Sequence, residues 1–132
     1  MLVTEKESVF LKTLPMWITG YAKIRLSKTM LNKSIIDANK SVRDLALNFG
    51  IDFAKMKNGD KYEVLARFDD PDSNQHSIVR FYKTINRGDR RVSIKGIKQY
   101  ANIGDLIGLS ACLPKDDNKD IIIINVTRRA DQ

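Results

Sequence analysis

Apolar and polar positions alternate along most of this chain, the pattern of half-buried strands. From Ile18 to Leu26, Tyr21, Lys23 and Arg25 interleave with Ala22, Ile24 and Leu26. SIVRFYK predicts another strand, with Ile78 and either Val79 or Phe81 inward, and RRVSI resumes it through Val92 and Ile94. DLIGLSACL and DIIIINVTRR, rich in β-branched residues, predict a closing pair. Helical spacing is confined to short stretches. Val42, Leu45, Ala46 and Phe49 form one face, with Asn39 or Ser41 as N-cap and Gly50 as a left-handed C-cap. KGIKQYANIGD predicts a single helical turn with Ile97, Tyr100 and Ile103 inward, ahead of a turn at Gly104-Asp105. Residues 1–17 have the spacing of a short amphipathic helix ending near Pro15, an extension packed on the rest through Val9, Phe10, Leu11, Leu14 and Trp17.

The punctuation between these elements is specific. Asn58-Gly59 is a two-residue hairpin signal flanked by Phe53, Met56, Tyr62, Val64 and Leu65, and it predicts a strand on either side. DDPDSNQ predicts an acidic turn around Pro71, and the strands on its two sides pair as a meander. SKTMLNKS, residues 27–34, reads as a polar loop or arm. INRGDRR reads as a second, turn-bearing arm, with Gly88 where a positive φ is needed. PKDDNKD joins the last two strands as an acidic hairpin loop. With 132 residues, 42% of them hydrophobic, and no repeat or linker, the chain is expected to be one domain over 1–132 with its own core.

Charge is segregated along these elements. Residues 80–98 hold seven Lys and Arg against the single acid Asp89, a net +6 in a chain whose total is +7. Residues 23–43 hold six against Asp37, a net +5. The acids collect elsewhere, at Asp69, Asp70, Asp72 and at Asp116, Asp117, Asp120. A surface with no ligand to meet intersperses its signs. A basic footprint suits nucleic acid, because neutralising phosphates releases condensed counterions. The two basic windows are therefore the candidate contact regions for a polyanion.

Other chemistries find little to work with. A nucleophile needs a base within hydrogen-bond reach, and the lone histidine, His76, falls in the polar loop DSNQHS. One Cys and one His cannot make a zinc site, and there is no glycine-rich phosphate loop. Carboxylates for a magnesium site reduce to Asp52, Asp60 and Glu63. Asp60 belongs to the Asn-Gly turn, and Glu63 lacks an acid-x-lysine arrangement. No catalytic centre, metal or cofactor is expected. Cys112, among Leu109, Ala111 and Leu113, reads as a buried strand residue with no disulfide partner. No apolar run approaches the roughly 20 residues that span a bilayer, so no membrane partner and a cytoplasmic address are expected.

Ile85-Asn86-Arg87-Gly88, Val92-Ser93-Ile94-Lys95-Gly96-Ile97, Lys98-Gln99-Tyr100-Ala101 and Gly104-Asp105-Leu106-Ile107 follow one another as arm, strand, helical turn, and turn into strand. With YAKIRL, SKTMLNKS and NKSVRDLALNF ahead of it, this course resembles the B3 family of DNA-binding pseudobarrels over residues 20–128. That family occurs in plant transcription factors and, in related form, in restriction endonucleases. The resemblance implies a mainly β (α+β) domain, a seven-stranded open pseudobarrel with two short helices that grips the DNA major groove between two arms. Those arms coincide with the two basic windows. Ile85 stands where plant members carry tryptophan, and Arg87-Gly88 where they carry paired serines, so plant base preferences do not transfer. The arginine content is more similar to the restriction-enzyme branch.

On this reading, arm side chains read base edges while lysines and strand arginines hold phosphates. Asn32, Asn86, Arg87 and Arg90 are the expected base contacts. Lys28, Lys33, Lys83, Arg91 and Lys95 are the expected phosphate contacts, with Arg25, Thr29, Tyr82 and Thr84 as further candidates; Tyr82 suits core as well as contact. The expected function is sequence-specific binding of double-stranded DNA by a monomer, as the target-recognition domain of a restriction endonuclease, with a nuclease domain or subunit as further partner. Rival readings are an AbrB-like dimeric regulator, a small metal-dependent nuclease, and a single-strand binder of OB type. The last predicts stacked aromatics on adjacent strands, for which Phe81-Tyr82 and Tyr62 are the candidates.

Overall fold

Seven strands form one curled, open sheet in the computed structural model, which describes residues 16–69, 75–114 and 121–128. In chain order they are β1 (Met16–Arg25), β2 (Ile36–Asp37), β3 (Lys61–Phe68), β4 (His76–Lys83), β5 (Arg90–Ile94), β6 (Leu106–Pro114) and β7 (Ile121–Thr127). Helices α1 (Lys28–Lys33) and α2 (Lys40–Leu47) flank β2. Across the sheet the order is β1-β6-β7-β3-β4-β5-β2, antiparallel except where β3 meets β7. The meander β3-β4-β5 and the closing pair β6-β7 are those the alternation predicts. No helix of the described residues is long and apolar enough to cross a membrane.

Alternation puts one face of each strand into the curl. Ala22, Ile24 and Leu26 are buried along and just past β1, Val79 and Phe81 on β4, and Val92 and Ile94 on β5. Cys112 is buried as its neighbours predict. Helix α2 covers the open side with Val42, Leu45 and Ala46. It begins where Asn39 Oδ1 accepts from the Val42 N–H at 2.9 Å, and the chain leaves it through Gly50 at φ 74.

The same cap closes the sheet. Asn39 Nδ2 donates to the Lys23 carbonyl at 2.9 Å, and Ser41 Oγ accepts from the Lys23 N–H at 3.2 Å. These side chains satisfy backbone groups that an edge strand leaves open. On the other side the Ala38 N–H donates to the Arg90 carbonyl at 3.0 Å. Residues 38–41 thus join β1, at one edge of the sheet, to β5, which only the two-residue β2 separates from the other edge.

Several local expectations are overturned by packing. Residues 27–34 hold a helix where a loop was expected: Ser27 Oγ accepts from the Met30 N–H at 3.2 Å, Leu31 is buried, and Ser34 ends α1 in the left-handed region. Six residues with one buried position carry no readable periodicity. Asn58-Gly59 does not join two strands. Phe53 and Met56, three apart, are both buried, which a strand forbids and the 3-10 turn Phe53–Lys55 permits. Ile103 is exposed, because Ala101 takes the inward place and the chain turns at Gly104. His76 begins β4 instead of lying in a loop. Asp69 is buried, with Asn125 Nδ2 donating to it at 3.3 Å. The predicted N-terminal helix lies outside the described residues, except that Met16 and Trp17 belong to β1.

Candidate nucleic-acid interface

Lys83 at the end of β4 faces Arg90 at the start of β5, so residues 84–89 must reverse the chain within six positions. Hydrogen bonds fix how they do it. The Thr84 N–H donates to the Asp89 carbonyl at 3.0 Å, the Gly88 N–H to the Thr84 carbonyl at 3.1 Å, and the Asp89 N–H to Thr84 Oγ1 at 2.9 Å. Gly88 sits at φ 69, and a Cβ there would collide with the Asn58 side chain. The turn at 57–60 is thereby a buttress beneath the arm. It is bonded to the arm's base by Gly59 N–H to the Lys83 carbonyl and Lys83 N–H to the Asp60 carbonyl, both at 3.0 Å.

Two of the cations expected to hold phosphates are partly buried and bonded to local partners. Arg91, its side chain 17% exposed, donates from Nη2 to Asp89 at 3.0 Å. Its Nε stands 3.0 Å from Asp37 Oδ1 as a charge contact without hydrogen-bond alignment. Arg91 therefore ties the arm to β2. Lys83 Nζ donates to the Met56 carbonyl at 3.1 Å. By contrast Asn86, Arg87 and Arg90 are exposed, and the guanidinium groups of Arg87 and Arg90 have no hydrogen bond or ion pair among the described residues.

The arm forms a ridge between two concavities. One, of about 560 Å³, is walled by Lys61, Arg80, Lys83, Arg87 and Arg91 with Asp89 as its one acid, and Tyr82, Thr84 and Asn86 also line it. The other, of about 650 Å³, gathers Arg43, Arg87, Arg90 and Arg91 against Asp37 and Asp89. In the first, register explains the assembly: Tyr82 stands between its cross-strand neighbours Lys61 and Arg91 on the outer face of β3, β4 and β5.

The rest of the expected site lies apart from these linings. Lys28, Thr29, Asn32 and Lys33 are exposed on or beside the ends of α1. Arg25 Nη1 donates to the Gly104 carbonyl at 2.9 Å. Lys95 is exposed beyond the far end of β5, five positions from Arg90, roughly 17 Å at about 3.4 Å per residue. Strand β2 runs from Ile36 opposite Val92 to Asp37 opposite Arg91. What the second basic window brings to the arm is therefore Asp37, Asn39 and Arg43, not α1. Arg43, Arg80 and Lys61 are not among the contacts that the sequence predicts. The first two stand inside the basic windows, whereas Lys61 is marked only by its pairing with Tyr82.

The acids weighed as metal ligands are each turned to a local partner. Asp52 caps the 3-10 turn at 3.0 Å from the Ala54 N–H, Asp60 accepts from the Lys57 N–H at 2.9 Å, and Glu63 accepts from Arg80 at 2.8 Å. Among the described residues no three His, Cys, Asp or Glu side chains gather as a metal ion requires.

No protein-family model matches the chain, and no curated protein matches it. Among solved structures it is similar to the N-terminal domain of Helicobacter pylori LlaJI.R1, with a TM-score of 0.46 and 16% identity, covering 85% of this chain and 90% of that one.

Proposed function

We propose that this chain binds double-stranded DNA sequence-specifically, entering the major groove with the arm at residues 84–90, as the target-recognition domain of a restriction endonuclease. The observation that carries the reading is the arm itself. Asn86, Arg87 and Arg90 project from a turn whose backbone is hydrogen-bonded shut, between two concavities walled by cations. Arginine offers two parallel donors to guanine O6 and N7, and asparagine a donor and an acceptor to adenine N7 and N6, so these side chains are equipped to tell bases apart. A turn already closed has less conformational entropy to lose on docking.

Phosphates on either side of the inserted arm meet Lys61 and Arg43, while Lys83 and Arg91 brace it from within and add positive potential. Lys28, Lys33 and Lys95 add phosphate contacts farther along the duplex, and Asn32 and Thr29 on α1, with Arg25 beside it, form the second grip. The restriction assignment rests on the B3-like course of residues 85–107 and the arginine content of its arm. The proposed binding species is a monomer, with all seven strands of its sheet supplied by one chain.

Selection from random duplexes at moderate salt tests the proposal. An enriched motif is expected, bound by a species that sediments as a monomer at micromolar concentration. Binding with no enriched motif would reduce the activity to non-specific attraction. Magnesium-dependent plasmid cleavage lost on Glu63→Gln or Asp60→Asn would instead make the chain a nuclease.

A further inference from the structure

One side chain of the arm is apolar. Ile85 is 78% exposed, the highest value among the exposed large hydrophobic side chains of the described residues, which otherwise reach 65% at Leu65. Two independent considerations make isoleucine a poor choice there. It leaves most of an aliphatic side chain in water, and turns select Gly, Asn, Asp, Ser or Pro over β-branched residues. The side chain lines the concavity with Lys61, Arg80 and Arg87 and stands beside Gly59, its Cγ1 3.6 Å from where a Cβ there would be. An apolar group set among cations and next to Asn86 is placed for a ligand that is anionic in bulk and apolar at one point.

We propose that Ile85 is a specificity-determining residue that reads the 5-methyl group of a pyrimidine in the major groove. The inference rests on the DNA-binding reading above. In that groove the base edges present donors, acceptors and one apolar group, the methyl on C5 of thymine. A 5-methylcytosine carries the same group at the same place. Arg87 and Asn86 then read the neighbouring pairs, and Ile85 covers the methyl between them and the backbone of Gly59.

The test uses the full chain and a duplex obtained by selection. Each thymine in turn is replaced by uracil, which removes only the methyl, and in a second series each cytosine is replaced by 5-methylcytosine. At one position the methylated duplex is expected to bind about fourfold more tightly, the gain from burying one such group. A response in the first series names thymine as the source, and a response in the second names modified cytosine. Ile85→Ala should abolish that difference while its thermal unfolding matches the parent, and Ile85→Val should keep part of it. Specific binding without any methyl-responsive position overturns the inference, as does a response that persists in Ile85→Ala. So does a DNA kink that Ile85→Ala removes while methyl responses stay unchanged, since that marks a wedge between base steps. In each of these cases the DNA-binding reading survives. Failure to bind any duplex specifically defeats that reading itself.

Discussion

Arg87 and Arg91 lie four positions apart on one basic stretch, and the structure gives them different work. Arg87 points outward with no hydrogen bond or ion pair among the described residues, whereas Arg91 is held by Asp89 and Asp37. Arg87→Ala is therefore expected to cost about 1 to 3 kcal/mol of binding and relax selection at one base position, with unfolding unchanged; competition against single-base variants of the selected site reads this directly. Arg91→Ala is expected to lower stability in urea by about 1 kcal/mol, the sum of two partly exposed ion pairs and the stem packing beneath them. Charge counting finds both arginines. It cannot separate them, because the separation depends on Asp37, which pairs opposite Arg91 only when β2 docks.

At the scale of elements, the turn at 57–60 and the cap of α2 matter more than their lengths suggest. Gly88→Ala forces a left-handed residue, costing about 1 to 2 kcal/mol, and adds a collision with Asn58. Combining it with Asn58→Ala should recover the collision but not the backbone strain. A double variant no more stable than Gly88→Ala would show that the arm does not rest on that turn. Asn39→Ala removes the cap and the bond to the Lys23 carbonyl together, and a loss of about 1 to 2 kcal/mol in chemical denaturation is expected. The arm was legible because alternation, a glycine and charge coincide locally. The helical form of 28–33 was not, since its cap and single buried leucine became visible only against the core.

For the molecule as a whole, phosphate contact makes binding depend on salt. If Lys28, Lys33, Arg43, Lys61 and Lys95 each neutralise one phosphate, log K should fall with log salt at a slope near −4.5, about 0.9 per contact. Lys33→Ala should flatten it by about one unit, equally for all sequences. A slope that Lys28→Ala and Lys33→Ala leave untouched would remove α1 from the interface and confine the grip to the arm and residues 37–43. The curl that places these parts depends on its core. Phe81 is fully buried and packs edge-on against Phe53 with ring centroids 6.3 Å apart, so Phe81→Ala should cost about 3 to 5 kcal/mol in equilibrium unfolding.

By itself the sequence determined the class of fold, the meander of β3, β4 and β5, the pairing of β6 with β7, the helix at 40–47 and the basic arm between β4 and β5. Each of these is written in residues near one another, as a period, a turn or a run of charge. Only the tertiary structure decided that β1 and β2 end at opposite edges and are tied together by Asn39 and Ser41. It also decided that Asn58-Gly59 supports an arm instead of joining two strands, and that Arg43 and Lys61 meet Arg87 in concavities on either side of it. These are contacts between residues tens of positions apart. Which of them form is settled by how one buried face closes on another, and no local pattern carries that choice.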